Sequence, residues 1–169
     1  MRLAEFFDRA DESRRLGRFI SSQSGGLAVV YGRRRCGKSA LLQRVLSGQQ
    51  VYFQADQREN PLQVEALAKV IAGRIRDFDK ASYRTWDELL TSLYARAEAG
   101  LCVCLDEFPY LVQAEPALPS ILQRYVDRPD GRIAWILCGS SQRMMHALVL
   151  HRSAPLYGRA QEILRIDPL

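Results

Sequence analysis

At 169 residues the chain has the length of one ordinary domain, and 47% apolar against 25% charged residues is the balance of a globular protein, which excludes disordered and fibrous classes. The net charge of +5 comes almost wholly from arginine, since lysine occurs only at positions 38, 69 and 80. A solvated arginine-rich surface accounts for that charge, no block of five or six like charges makes a tail, and no apolar run approaches the roughly 20 residues that cross a bilayer.

From the amino end, an amphipathic segment and a flexible-looking connector (21–26) occupy residues 1–26, and the acidic Glu5 and Asp8 stand where a signal peptide would be apolar. The reading is therefore cytoplasmic, with no membrane. Residues 27–31 form an apolar run suited to a strand covered on both faces. Gly32, Arg33, Arg34, Arg35, Cys36, Gly37, Lys38 and Ser39 then satisfy G-x-x-x-x-G-K-[ST], and residues 40–46, from Ala40, are helix-compatible. Glycines let successive backbone N–H groups turn toward phosphate oxygens, and the following helix offers its positive end. This is a loop for a nucleoside triphosphate, ATP or ADP with Mg²⁺. Lys38 is expected at the β and γ phosphates and Ser39 on the metal. The three arginines are assigned to the polyphosphate rather than to DNA, and Cys36 is expected to be an accessible thiol.

Further along, runs at 51–54, 101–105, 133–138 and 163–166 read as strands, and helical spacing lies between them. Leu67, Val70, Ile71, Ile75 and Phe78 mark one helix, opened by Asn60 and Pro61. Trp86, Leu89, Leu90, Leu93, Tyr94 and Ala97 mark a second, which Gly100 is expected to close. Leu118, Ile121, Leu122, Tyr125 and Val126 follow, with turn chemistry at 129–131, and Met144, Met145, Leu148 and Val149 give a shorter stretch. Alternating strand and helix predicts an α/β fold on a parallel sheet. Cys102 and Cys104 are read as facing opposite sides of one strand, so the four cysteines give no zinc or redox spacing.

The 101–105 run ends in adjacent carboxylates, which divide naturally into Asp106 for the Mg²⁺ shell and Glu107 to polarise an attacking water. After 133–138 come Ser140 and Ser141, sensors of a γ-phosphate or simply helix caps. Arg159 is read as an arginine supplied to a neighbouring subunit or domain, with a surface salt bridge as the alternative.

With these motifs in place, the chain resembles the archaeal and bacterial P-loop ATPases of the AAA+/STAND-like group. The resemblance rests on Phe7-Asp8-Arg9, the loop at 31–39, Val51-Tyr52-Phe53, the 105–110 stretch containing Asp-Glu-Phe-Pro-Tyr, Gly139-Ser140-Ser141, and Pro155-Leu156-Tyr157-Gly158-Arg159. It implies a three-layer P-loop core over residues 1–169 (27–169 the nucleotide-binding α/β part) with a five-stranded sheet in the order 5-1-4-3-2. It also implies that Asp8 and Arg9 help to enclose adenine. The preference for adenine over guanine is likewise mainly what the resemblance implies, and no convincing N-K-x-D tetrad is present. Members generally continue into a helical lid and effector domains, some with DNA as partner, and the chain is expected to lack these parts. The implied function is a Mg·ATP switch that hydrolyses slowly, acting on a downstream domain or in a homo-oligomer. The alternatives are a nucleotide-holding interaction module, or a small-molecule kinase, which would ordinarily carry glycine at position 35.

Overall fold

In the computed structural model, which describes residues 9–22, 24–46, 50–129 and 132–168, the five apolar runs become the strands of one sheet. They are β1 (Gly26–Tyr31), β2 (Val51–Gln54), β3 (Cys102–Asp106), β4 (Ala134–Gly139) and β5 (Ala160–Arg165), ordered β2-β3-β4-β1-β5 with each neighbouring pair parallel. Read from the other edge, this is the 5-1-4-3-2 order expected of the fold. β3 and β4 are buried at every residue, which explains why neither shows polar alternation.

Helices cover both faces of the sheet. On one face, Leu16 and Phe19 of α1 (Ala10–Ser21) and Leu41 and Leu42 of α2 (Lys38–Val45) share a core with Ala28, Val30, Ile136 and Leu164. On the other face lie α3 (Asn60–Ile71), α4 (Trp86–Arg96), α5 (Phe108–Ala114), α6 (Leu118–Val126) and α7 (Gln142–Met145), packed around Val29, Phe53, Leu105 and Trp135. Pro61 sits in the first turn of α3, and the Thr85 hydroxyl caps α4 by accepting from Glu88 N–H at 3.2 Å.

Several expectations need correction. The helix expected to run through Phe78 stops at Ile71. Phe78 instead reaches the core, fully buried, from a 3₁₀ turn that follows left-handed Asp77 (φ 64°). Gly100 does not close α4, which ends at Arg96; its φ of 95° turns the chain into β3. Helix α5 had no counterpart in the sequence reading. Cys102 and Cys104 share one face rather than two, because residues two apart in a strand point the same way. Cys138 joins them there, with Cys104 Sγ and Cys138 Sγ 3.6 Å apart, and burial pushes the Cys102 and Cys104 thiols well above the ordinary thiol range. Of the 129–131 turn, Asp130 and Gly131 lie outside the described residues.

An all-parallel sheet collects the carboxyl ends of its strands at one edge, and open α/β sheets hold their ligands there. Tyr31, Gln54, Asp106, Gly139 and Arg165 end the five strands at that edge.

Candidate functional site

β1 is flanked by β4 and β5, so the loop after Tyr31 emerges beside the ends of both. Gly32 is required there by close packing: a Cβ on it would stand 2.3 Å from Ile166 O. Its N–H donates to Gly139 O at 3.3 Å, which ties the loop to the end of β4. Left-handed backbone at Arg35 (φ 65°) and Gly37 (φ 87°) then bends the chain into the first turn of α2. Concave turns of this type gather N–H groups around anions, and a helix amino terminus reinforces them.

The loop is braced from behind. Arg9, buried at the start of α1, donates through Nη2 to Cys36 O at 2.8 Å and also to Asp167 O. The Cys36 thiol is buried too and donates to Arg33 O at 2.7 Å, so it is not the accessible thiol expected. In front of the loop opens a cleft of about 590 Å³. Arg33, Arg34, Arg35, Gly37, Lys38, Ser39 and Ala40 line one side, and Gln54, Glu107, Tyr110 and Ser140 line the others.

Lys38, Asp106 and Glu107 form one charged network at this cleft. Asp106 is 1% exposed, and a buried carboxylate is costly unless paired. Its Oδ1 accepts from Lys38 Nζ at 3.2 Å and from the Glu107 N–H at 2.9 Å. Its Oδ2 accepts from Ser39 Oγ at 3.4 Å and from the Tyr52 hydroxyl. Glu107 Oε1 lies 3.6 Å from Lys38 Nζ, and Glu107 Oε2 accepts from Ser140 Oγ at 3.4 Å. Burial, the largest single influence, would lower the Lys38 pKa, but Asp106, Cys138 and Glu107 together outweigh it and the pKa lies above the ordinary lysine value. Burial raises the Tyr52 phenol far above its usual range, and the bond to Asp106 adds to the shift.

Glu107 sits at φ 55°. Of the three non-glycine residues with positive φ among those described, Arg35 and Glu107 belong to this cleft. Left-handed backbone at such residues costs of order 1–3 kcal/mol and concentrates at functional sites.

The structure therefore brings together Lys38, Ser39, Asp106, Glu107 and Ser140. Ser141 is elsewhere engaged, capping α7 by accepting from Met144 N–H at 3.2 Å. Asp8 lies outside the described residues. Arg159 precedes β5, whose Ala160 pairs in register with Leu27 at the start of β1, so it stands at the opposite edge of the sheet from Lys38. There Arg159 holds Asp127 through two bonds of 3.2 and 3.1 Å. Tyr52 and Tyr110 were missed as site residues. Register could have found Tyr52, because Tyr52 and Gln54 pair with Cys104 and Asp106 and so share their face.

Oxygen donors without a soft ligand suit a hard cation: Ser39 Oγ and Asp106 Oδ2 lie 3.4 Å apart beside the phosphate-type turn. The donor set fits Mg²⁺ brought in with a polyphosphate.

Over residues 6–169 the chain matches the family described as an ATPase domain predominantly from Archaea. The chain belongs to that family. An uncharacterized protein of Methanocaldococcus jannaschii, MJECL04, is 31% identical to this chain over 167 residues, covering 97% of this chain and 36% of that protein. Three solved structures share the fold. The Aeropyrum pernix ORC1 protein in complex with DNA has a TM-score of 0.70 at 18% identity, over 95% of this chain and 45% of that one. The Aeropyrum pernix ORC2 protein in its ADP form scores 0.67 at 19%, over 94% and 48%. Cdc6p from Pyrobaculum aerophilum scores 0.64 at 20%, over 94% and 45%. The ATPase domain thus has an AAA+-type P-loop fold, and the chain spans about a third of the curated relative and under half of each solved chain. Among the described residues no helix is long and apolar enough to cross a membrane.

Proposed function

We propose that this chain is the catalytic core of a nucleotide switch: it binds Mg·ATP in the 32–39 loop and hydrolyses it slowly to ADP and phosphate. The observation that carries the reading is the meeting of Lys38, Ser39, Asp106 and Glu107 within 3.6 Å links at the carboxyl edge of the sheet. Lys38 Nζ is poised to exchange its carboxylate partners for the β and γ phosphate oxygens. Ser39 and Asp106 would hold the metal. Bound Mg²⁺ neutralises charge that builds on the transferring phosphoryl oxygens. Glu107 takes a proton from the water whose oxygen attacks the γ-phosphorus as the bond to ADP breaks. Ser140, through Glu107, is the better sensor candidate of the two serines. The cleft-facing Arg33, Arg34 and Arg35 favour polyphosphate over DNA as their partner.

A second reading has an observation of its own. Because Arg159 lies at the far edge of the sheet, a lone chain has no arginine of that segment at its own cleft. We infer that the isolated chain holds nucleotide with little turnover, and that a neighbouring protomer or attached domain supplies or receives Arg159. The test is phosphate release by Glu107→Gln beside ATP binding. Turnover is expected to fall about 10²-fold or more with binding retained. Release unchanged from wild type, with ATP bound normally, removes Glu107 from the mechanism.

A further inference from the structure

The Tyr52 hydroxyl addresses a carboxylate that has no electrostatic need of it. Asp106 already takes the Lys38 ammonium at 3.2 Å, the Glu107 amide at 2.9 Å and the Ser39 hydroxyl at 3.4 Å. A buried carboxylate with a cation and two further donors is satisfied. What a fourth donor adds is direction. With Lys38 and Glu107 N–H on Oδ1, and Ser39 and Tyr52 on Oδ2, the carboxylate has donors on both oxygens and cannot rotate without losing bonds. Oδ2, the oxygen that Tyr52 holds, is also the one turned toward Ser39.

Tyr52 is placed for this by the sheet itself. It pairs with Cys104 on β3, two residues before Asp106, so its side chain leaves the strand on the same face as the carboxylate. Its ring packs against the core that holds Cys104 and Leu42, which leaves the hydroxyl at the end of a supported lever.

We propose that Tyr52 is a positioning residue for the metal: its hydroxyl fixes the plane of the Asp106 carboxylate so that Oδ2 and Ser39 Oγ present one ready-made edge to Mg²⁺. The inference rests on the Mg·nucleotide reading of the cleft. Hydrogen bonds that orient a metal-holding carboxylate are typically worth 10- to 100-fold in metal affinity or activity, which sets the expected scale.

The test uses the full chain and calorimetric titration of ADP at stepped Mg²⁺ concentrations, with a parallel titration in EDTA. In Tyr52→Phe, the Mg²⁺ concentration that gives half of the metal-dependent gain in ADP affinity is expected to rise about 10-fold, with affinity in EDTA unchanged. Tyr52→His, which keeps a ring and an N–H donor, is expected to need less Mg²⁺ than Tyr52→Phe. An unchanged or lower Mg²⁺ demand in Tyr52→Phe overturns the proposal, and so does an equal loss of affinity in EDTA, which marks a merely structural role. These outcomes leave the nucleotide reading standing, whereas a wild-type chain that takes up no ADP in either condition removes both. Should the variants not fold, a crystal structure of the wild-type chain with Mg·ADP decides the matter. The Tyr52 hydroxyl is expected within hydrogen-bond distance of Asp106 Oδ2, and a phenol turned away from it contradicts the assignment.

Discussion

At the carboxyl ends of the strands, side chains from α2, β2, β3 and the residues just after β3 and β4 meet in a network centred on the buried pair Lys38 and Asp106, whereas at the amino ends Arg159 is held at the surface by Asp127. The two ion pairs differ in what they cost to break. Lys38 and Asp106 are 6% and 1% exposed at their side chains, and removing one partner of such a pair costs about 3–5 kcal/mol because the other charge is stranded. Arg159 and Asp127 are 34% and 43% exposed, where a pair contributes about 0–1 kcal/mol. The carboxyl edge is thus a site assembled in advance within one chain. The amino edge is an arginine that can exchange its partner cheaply for another anion.

That contrast breaks first at Arg159. If Arg159 serves a neighbouring cleft, Arg159→Ala lowers ATP turnover by about 10³-fold in concentrated or assembled protein, while dilute protein, already slow, changes little. Phosphate release measured across protein concentration reads this directly, and an identical loss at every concentration contradicts action between chains. Lys38→Ala is the next largest effect. It strands Asp106 with its three remaining donors, so unfolding stability should fall by about 3 kcal/mol in urea titration without nucleotide. A change well under 1 kcal/mol would mean that the ammonium does not pair with Asp106 in the empty site.

A smaller effect concerns pH. The Lys38 pKa is raised above 10.5, so the ion pair's stabilisation is fully present below the ordinary lysine value and is lost only as pH rises through the folded value. Nucleotide affinity and stability should therefore show no lysine-linked loss between about pH 6 and 9. A midpoint inside that window, absent from Lys38→Ala, would place the amine in a different environment. Smallest of all, Asp127→Ala should shift stability by about 1 kcal/mol or less while freeing Arg159. A larger loss in thermal melting would make the pair structural.

The fold was legible mainly because β1, β3 and β4 are buried at nearly every residue and read as unbroken apolar runs; β2 appears at its expected bounds, whereas the half-exposed β5, with polar Gln161 and Glu162 at its start, begins three residues before its apolar run. Lys38, Ser39, Asp106 and Glu107 were legible because a fixed string and a strand end determine their place. Local strings say less about what arrives from elsewhere in the chain. Arg9 reaches the loop through the carbonyl of Cys36, a contact that no side-chain pattern encodes. Tyr52 reaches Asp106 through the register of β2 on β3. Helix periodicity overran at Phe78 because a residue delivered to the core by a turn is as apolar as one delivered by a helix. Helix α5 is only seven residues long, too short for a periodic signal, and begins at the left-handed Glu107.

The most direct test of the central claim is calorimetric titration of the chain with ATP in the presence of Mg²⁺, repeated with Lys38→Ala. The account predicts saturable one-to-one binding to the wild-type chain and its loss in the variant. No binding of any purine triphosphate by wild type, or binding that Lys38→Ala leaves intact, would contradict it.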